Sequence, residues 1–267
     1  MTPRALAAAG AALLLLLAGC GEQTGVHSVG PAAPVFSQPA ETPPAGDPTP
    51  SGVPSPSPST PKASPKPTRT ALPTGLRRST GTRGVALTFD DGPDPVWTPK
   101  VLDQLRRHRV TATFCVVGTQ VRQHPGLVAR IVREGHQLCN HSWRHDVDLG
   151  SRSRSAIRAD LDRTTRAIRA AAPGAKVPFY RQPGGRWTPE VVAVARDLGM
   201  TPLHWTVDPR DWAKPTAATI TARVRSGLRP GSVVLLHDGG GNRAATVAAC
   251  PAMIADIKRR YGVTRLR

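Results

Sequence analysis

No Gly-x-Gly-x-x-Gly opens a helix anywhere in the 267 residues, which removes the usual cradle for a dinucleotide pyrophosphate. No apolar run is long enough to span a bilayer comfortably: the run from Ala5 to Leu17 falls short of the roughly 20 residues a spanning helix needs. Acidic residues are scarce, 18 against 36 Lys and Arg, for a formal net charge of +18. That excess bears on association rather than fold, and it fits a nucleic-acid partner, an anionic surface or a free use of Arg. Aromatic residues make up only 4% of the chain, and all five tryptophans (Trp97, Trp143, Trp187, Trp205, Trp212) lie after residue 80. The four cysteines are too few for a disulfide-built scaffold.

What is present divides the chain in three. Arg4 and the apolar run to Leu17 fit a secretory signal, which argues against a nucleic-acid partner. That run ends Leu17-Ala18-Gly19-Cys20, similar to the lipobox of bacterial lipoproteins, so residues 1–20 are expected to be a lipoprotein signal ending at a lipidated Cys20. Two acyl chains there would anchor the protein to the outer face of the cell membrane. Residues 21–80 are dominated by Pro, Ser and Thr, as in Pro54-Ser55-Pro56-Ser57-Pro58, and cannot build a core. At about 3.1 Å per residue such a disordered linker reaches on the order of 150 Å, enough to carry a domain into a cell wall. Residues 81–267 are expected to form one globular domain, acting as a monomer.

Within that domain short apolar segments alternate with amphipathic ones. Strands are predicted at 85–89, 111–117, 137–140, 179–182, 202–207, 232–236 and 263–266. Helices are predicted at 99–108, through 133 with Pro125 in a first turn, around Ile157, Leu161, Thr165 and Ile168, and at 189–198, 217–228 and 244–260. Such alternation predicts an α/β fold of parallel strands with helical crossovers, closed or nearly closed as a barrel.

Chemistry-bearing residues recur just past the predicted strands. Thr88-Phe89-Asp90-Asp91-Gly92-Pro93 puts two carboxylates at a strand's end, and strand alternation sends them to different neighbours. His141 and His145, in Asn140-His141-Ser142-Trp143-Arg144-His145, are predicted on one face of a helical turn and could hold a metal with one carboxylate, leaving coordination sites open. Arg181-Gln182-Pro183-Gly184-Gly185, Asp208-Pro209-Arg210-Asp211-Trp212 and Leu235-Leu236-His237 follow later strands. Each alone reads as a turn or a solvated charge; together they outline the rim where barrels of parallel strands build active sites.

These five motifs, in this order, resemble those of the NodB-homology polysaccharide deacetylases, carbohydrate esterase family four: T-F-D-D-G-P, H-(S/T)-x-x-H, R-x-P-x-G, D-x-x-D-W and L-x-H. The resemblance covers about residues 84–267 and implies a distorted seven-stranded (β/α) barrel. It implies that Asp91, His141 and His145 bind a divalent metal, that Asp90 is the general base held by Arg181, and that Asp211 tunes His237 as general acid. Gly184 would offer a backbone N–H to the oxyanion, and Trp212 and Leu235 would line the groove for the acetyl group. Gly184 departs from the family, many of whose members carry Tyr there, and Cys139 stands where a small residue is common. Zn suits two imidazoles and one carboxylate, with Co, Ni and Mn as alternatives.

The implied reaction is removal of N-acetyl groups from a polysaccharide, with peptidoglycan N-acetylglucosamine first and chitin oligosaccharides or acetylxylan as alternatives. A glycosidase fits poorly, because its two carboxylates must flank a bond about 5 to 9 Å apart. A non-catalytic wall-binding module would not need both Asp90 and His237. Trp97 and Trp205 are expected in the core. Cys20 aside, three cysteines remain, so at least one is unpaired within a monomer; Cys115 and Cys139 fall on consecutive strands and are left open as a pair.

Overall fold

The computed structural model describes residues 71–267; the expected signal peptide with Cys20, and the expected linker as far as residue 70, lie outside the described residues. Six parallel strands form one sheet in the order β5-β4-β3-β2-β1-β6. They are β1 (Ala86–Asp90), β2 (Thr113–Val116), β3 (Gln137–Asn140), β4 (Phe179–Tyr180), β5 (Thr201–Pro202) and β6 (Val233–His237). Six α-helices lie between them and a seventh follows β6: α1 (Trp97–His108), α2 (Gly118–Gln123), α3 (Pro125–Arg133), α4 (Arg154–Ala171), α5 (Pro189–Asp197), α6 (Ala217–Gly227) and α7 (Ala244–Arg260).

The helices begin where the sequence supplies caps. Ser153, Thr188 and Thr216 accept the backbone N–H groups of Ala156, Val191 and Thr219, and Pro125 and Pro189 open α3 and α5, where a missing N–H costs nothing. The apolar stripe of α4 is Ile157, Leu161, Thr164 and Ile168; Thr164 rather than the predicted Thr165 is buried, while Thr165 accepts a hydrogen bond from the Asn140 amide.

The expected seven strands are six among the described residues. Predicted strand 202–207 shrinks to Thr201–Pro202 because the segment changes partner midway. Leu203 N–H donates to Tyr180 O on β4, whereas Val207 N–H donates to Val233 O and Val207 O accepts from Leu235 N–H on β6. One extended stretch thus pairs with β4 at its start, where Thr201–Pro202 forms β5, and bonds β6 at its end. Predicted strand 263–266 is likewise reduced to a bridge between Val263 and Val85. Arg77 and Thr80, placed in the linker by composition, already donate backbone N–H groups to Pro202 O and Gly231 O.

Strand alternation separates two apolar clusters. Leu87 and Phe89, Phe114 and Val116, and Val234 and Leu236 pack with the helices in the large outer core. Their alternates Ala86, Cys115, Cys139, Phe179, Leu203 and Val233 make a small inner cluster, with Trp205 partly buried against it. Parallel register sets Cys115 opposite Cys139, and the two form a disulfide inside the sheet's curve; Cys250 is free and buried. Thr88 and Asp90 share the inward face with Ala86, so the polar end of β1 points into the same interior.

No helix among the described residues is long and apolar enough to cross a membrane. Leu161 is fully buried under β3, and its carbonyl accepts the Asn140 amide at 2.8 Å. Leu161→Ala should therefore lower unfolding stability by about 2–5 kcal/mol, read from urea denaturation at unchanged slope.

Candidate active site

The parallel register brings the strands' C-terminal ends to one rim. Asp90, last in β1, pairs in register with His237 of β6; Asn140 of β3 pairs with Tyr180 of β4, so His141 and Arg181 leave the sheet side by side. Phe179 faces inward and Tyr180 outward, which returns Arg181 to the interior.

Arg181 is fully buried. Its Nη1 donates to Asp90 Oδ1 at 2.7 Å and to Thr88 Oγ1 at 2.8 Å, and its Nε to Leu203 O at 3.2 Å. The backbone carbonyl of the same residue lies 2.8 Å from His141 Nδ1. A carbonyl can only accept, so Nδ1 carries the proton and Nε2 turns its lone pair toward Asp91 Oδ1, 3.5 Å away.

Asp91 leaves the strand with φ 75°, which swings its carboxylate away from that of Asp90. Its Oδ1 also lies 3.2 Å from His145 Nε2 and is buried without any hydrogen-bond partner. Three ligand atoms, one each from Asp91, His141 and His145, lie within 4.8 Å of one another. Ligands about 2.0–2.1 Å from a tetrahedral ion stand roughly 3.3 Å apart, so the observed spacings and the orphaned oxygen suit a divalent ion with open positions. The histidines do not lie on a helical turn as predicted. Ser142 and His145 adopt left-handed φ of 63° and 58°, and this loop, not a helix, brings the ring centroids to 5.1 Å.

Burial alone would raise the Asp91 carboxyl, but the neighbouring imidazoles, His141 first and then His237 and His145, hold it below the usual carboxylate range. For His141 burial is outweighed by the charges of Asp90 and Asp91, which raise it; for His145 burial and the charge of His141 prevail and lower it.

Across the site His237 Nδ1 lies 2.7 Å from Asp211 Oδ1, while Asp211 Oδ2 accepts His237 N–H at 2.9 Å and Thr246 Oγ1 at 2.8 Å. Burial pushes His237 down, yet the hydrogen bond and charge of Asp211 raise it to about 8. Nε2 is left as its free ring nitrogen.

These groups surround a cavity of about 410 Å³, lined by Asp90, Asp91, His141, His145, Gly184, Trp212, Leu235 and His237 among others. Eight of the ten residues predicted for this site therefore line one space, and Arg181 and Asp211 sit directly behind it. Gly184 takes φ 62° in the turn Pro183–Gly185, a conformation in which a Tyr at this position would be strained. Trp212 is 45% exposed at the mouth, with the Arg210 guanidinium 5.0 Å from its ring centroid.

A family model described as polysaccharide deacetylase matches residues 77–203. The chain is 43% identical over 192 residues to a chitooligosaccharide deacetylase of Bradyrhizobium, covering 68% of this chain and 87% of that one. It is 37% identical over 179 residues to a peptidoglycan-N-acetylglucosamine deacetylase of Bacillus cereus, covering 66% and 82%. The chain belongs to the polysaccharide deacetylase family. Among solved structures it resembles that of BA3943, described as a CE4 family pseudoenzyme from Bacillus anthracis, with TM-score 0.65 and 32% identity over 70% of this chain; it spans 65% of that protein's length. Within the polysaccharide deacetylases, then, the fold alone does not guarantee turnover; the residues of the site decide it.

Several residues of this polysaccharide deacetylase site escaped the sequence reading. Thr88, on the same face of β1 as Asp90 two residues away, was available from period-two alternation. Trp205, expected in the core, lines the cavity together with Gln182 and Asp208, because the segment leading to Val207 crosses the interior instead of continuing a strand. Asp238 is fully buried, bonds Thr98 Oγ1 at 2.6 Å, and is raised by burial to about 7; nothing in its turn-like sequence context marked it.

Replacing one member of a buried ion pair strands its partner. Arg181→Met should destabilise the domain by about 3–5 kcal/mol in denaturant titration, well beyond a surface Arg→Met.

Proposed function

We propose that the chain is a metal-dependent hydrolase that removes N-acetyl groups from a polysaccharide, with N-acetylglucosamine of peptidoglycan as the first substrate and chitin oligosaccharides as the alternative. The observation that carries this reading is the placement of a three-ligand cluster and a carboxylate-paired imidazole on opposite sides of one cavity, with Asp90 beside both. Both substrate classes occur among the named relatives. A wall-length tether behind a lipidated Cys20, on the outer face of the membrane, favours peptidoglycan.

Asp91, His141 and His145 would hold the ion, with Zn first by donor type and Co, Ni or Mn as alternatives. When bound, the ion lowers the pKa of a water and polarises the acetyl carbonyl. Asp90 is the general base, since Arg181 fixes one of its oxygens and leaves Oδ2 directed toward the ligand cluster, 3.7 Å from His141 Nε2. The Gly184 backbone N–H, on a residue that lines the cavity, would be offered to the oxyanion, a contribution typically of roughly 3 kcal/mol. His237 donates its Nε2 proton to the leaving amine, and Asp211 keeps that proton available. Trp212 and Leu235 bound the acetyl end of the groove. Asp90 and Asp91 are committed to Arg181 and to the ligand cluster, so neither serves as the opposed carboxylate of a glycosidase. A purely binding module would have no use for the His237–Asp211 pair.

His141→Ala or His145→Ala should lose metal and activity together, by elemental analysis and acetate release. Asp90→Asn should keep the metal and abolish turnover; near-normal activity of that variant would remove Asp90 from the base role.

Because the charge of Asp211 raises His237, the alkaline limb of the pH–rate profile reports loss of the imidazolium proton. Asp211→Asn should move that limb to lower pH, and a profile superimposable on wild type would contradict the assignment. For location, Cys20→Ala should release the protein from the membrane fraction; retention of the variant, with no lipid label on wild type, would refute the anchor.

A further inference from the structure

A second cavity, of about 290 Å³, adjoins the first across Asp91 and His145, which line both. Its other walls are Val117, Thr119, Gln120, Arg144 and Gly240. A glycan whose acetamido group enters the larger space can therefore continue over the Asp91–His145 edge into this one. We propose that Arg144 receives a carboxylate on the sugar next to the one being deacetylated, so that the enzyme selects an acidic glycan over neutral chitin. This deepens the deacetylase reading and rests on it.

Arg144 stands between the two histidines in the chain, yet its exposed side chain takes part in none of the ion pairs among the described residues. The acids of the same loop are already engaged: Asp146 with Arg152 at 3.3 Å and Asp148 with Arg186 at 2.6 Å. Behind Arg144, the guanidiniums of Arg163 and Arg122 lie 3.8 and 5.5 Å from the Trp143 ring centroid and add positive potential on this side. The opposing charges are Asp160, whose Oδ1 is taken by Trp143 N–H at 2.7 Å, and Asp91 on the edge shared with the first cavity. A planar guanidinium matches a carboxylate in two parallel bonds, and an unpaired one on a cavity wall is a ready acceptor of such a group. A neutral oligomer has no carboxylate to form that paired, charge-assisted contact.

The test compares kcat/KM on three probes: peptide-free peptidoglycan strands with free lactyl carboxylates, the same strands methyl-esterified, and a chitin tetramer. Wild type should lose on the order of tenfold on esterification, the scale of one charge-assisted bond. Arg144→Gln, with bound metal measured alongside, should show that loss on the free acid, carried by KM, and no further loss on the ester; Arg144→Lys should fall between. Esterification without effect on wild type overturns the proposal even if no variant folds, as does an equal loss by Arg144→Gln on acid and ester. Absence of acetate from all three probes with metal-loaded wild type sinks the deacetylase reading itself, a result distinct from activity without charge preference.

Discussion

The buried guanidinium of Arg181 is the contact on which the site depends. Its side chain fixes Asp90, Thr88 and the Leu203 carbonyl, and its own carbonyl fixes the tautomer of His141. One residue thus orients both the proposed base and a proposed metal ligand from inside the sheet, where solvent cannot compete for either bond. A buried ion pair is an uncertain source of net stability, because both charges must be desolvated. Its use here is positional: with Arg181 Nη1 and Nε bonded to three oxygens from two separate segments, the end of β1, the start of the His141 loop and the stretch before Trp205 have one mutual arrangement.

The two sides of the cavity show how partners divide one residue type between two tasks. His141 and His237 both commit Nδ1 to an oxygen and keep Nε2 for the site. For His141 the oxygen belongs to a neutral peptide group, which prepares a neutral ligand. The carboxylates of Asp90 and Asp91 nevertheless raise His141, so a proton and a divalent ion compete for the same place, and metal affinity should weaken toward acid pH. For His237 the oxygen is a carboxylate, itself held by Thr246 and a backbone N–H, and the imidazolium persists to about pH 8. The proposed roles of base, ligand set and acid follow from these second partners as much as from the residues themselves.

The order of alternating elements and the identities at the strand ends were legible because periodicity and punctuation are local. The bounds of β3 and α7 agree with the structure residue for residue. What escaped depends on three-dimensional register or on unusual backbone. The Cys115–Cys139 disulfide needs the two strands aligned to the residue, which no single strand encodes. The histidine pair has helical spacing but reaches its geometry through two left-handed residues. The seventh strand is lost because residues 263–266 keep only a bridge from Val263 to Val85, while the segment from Thr201 to Val207 divides its bonds between β4 and β6, a detour that carries Trp205 from the expected core into the cavity. Polar residues such as Asp238 become meaningful only when their burial is known.

The central claim is that this rim hydrolyses an acetamide with a bound divalent ion. It is tested most directly by incubating the metal-loaded protein with purified, N-acetylated peptidoglycan strands while following acetate, free amines and new reducing ends together. The account predicts acetate and amines in equal amounts, no new reducing ends, and loss of both products on chelation with recovery on adding the ion back. New reducing ends without acetate, or acetate release indifferent to a chelator that strips the ion, would contradict it.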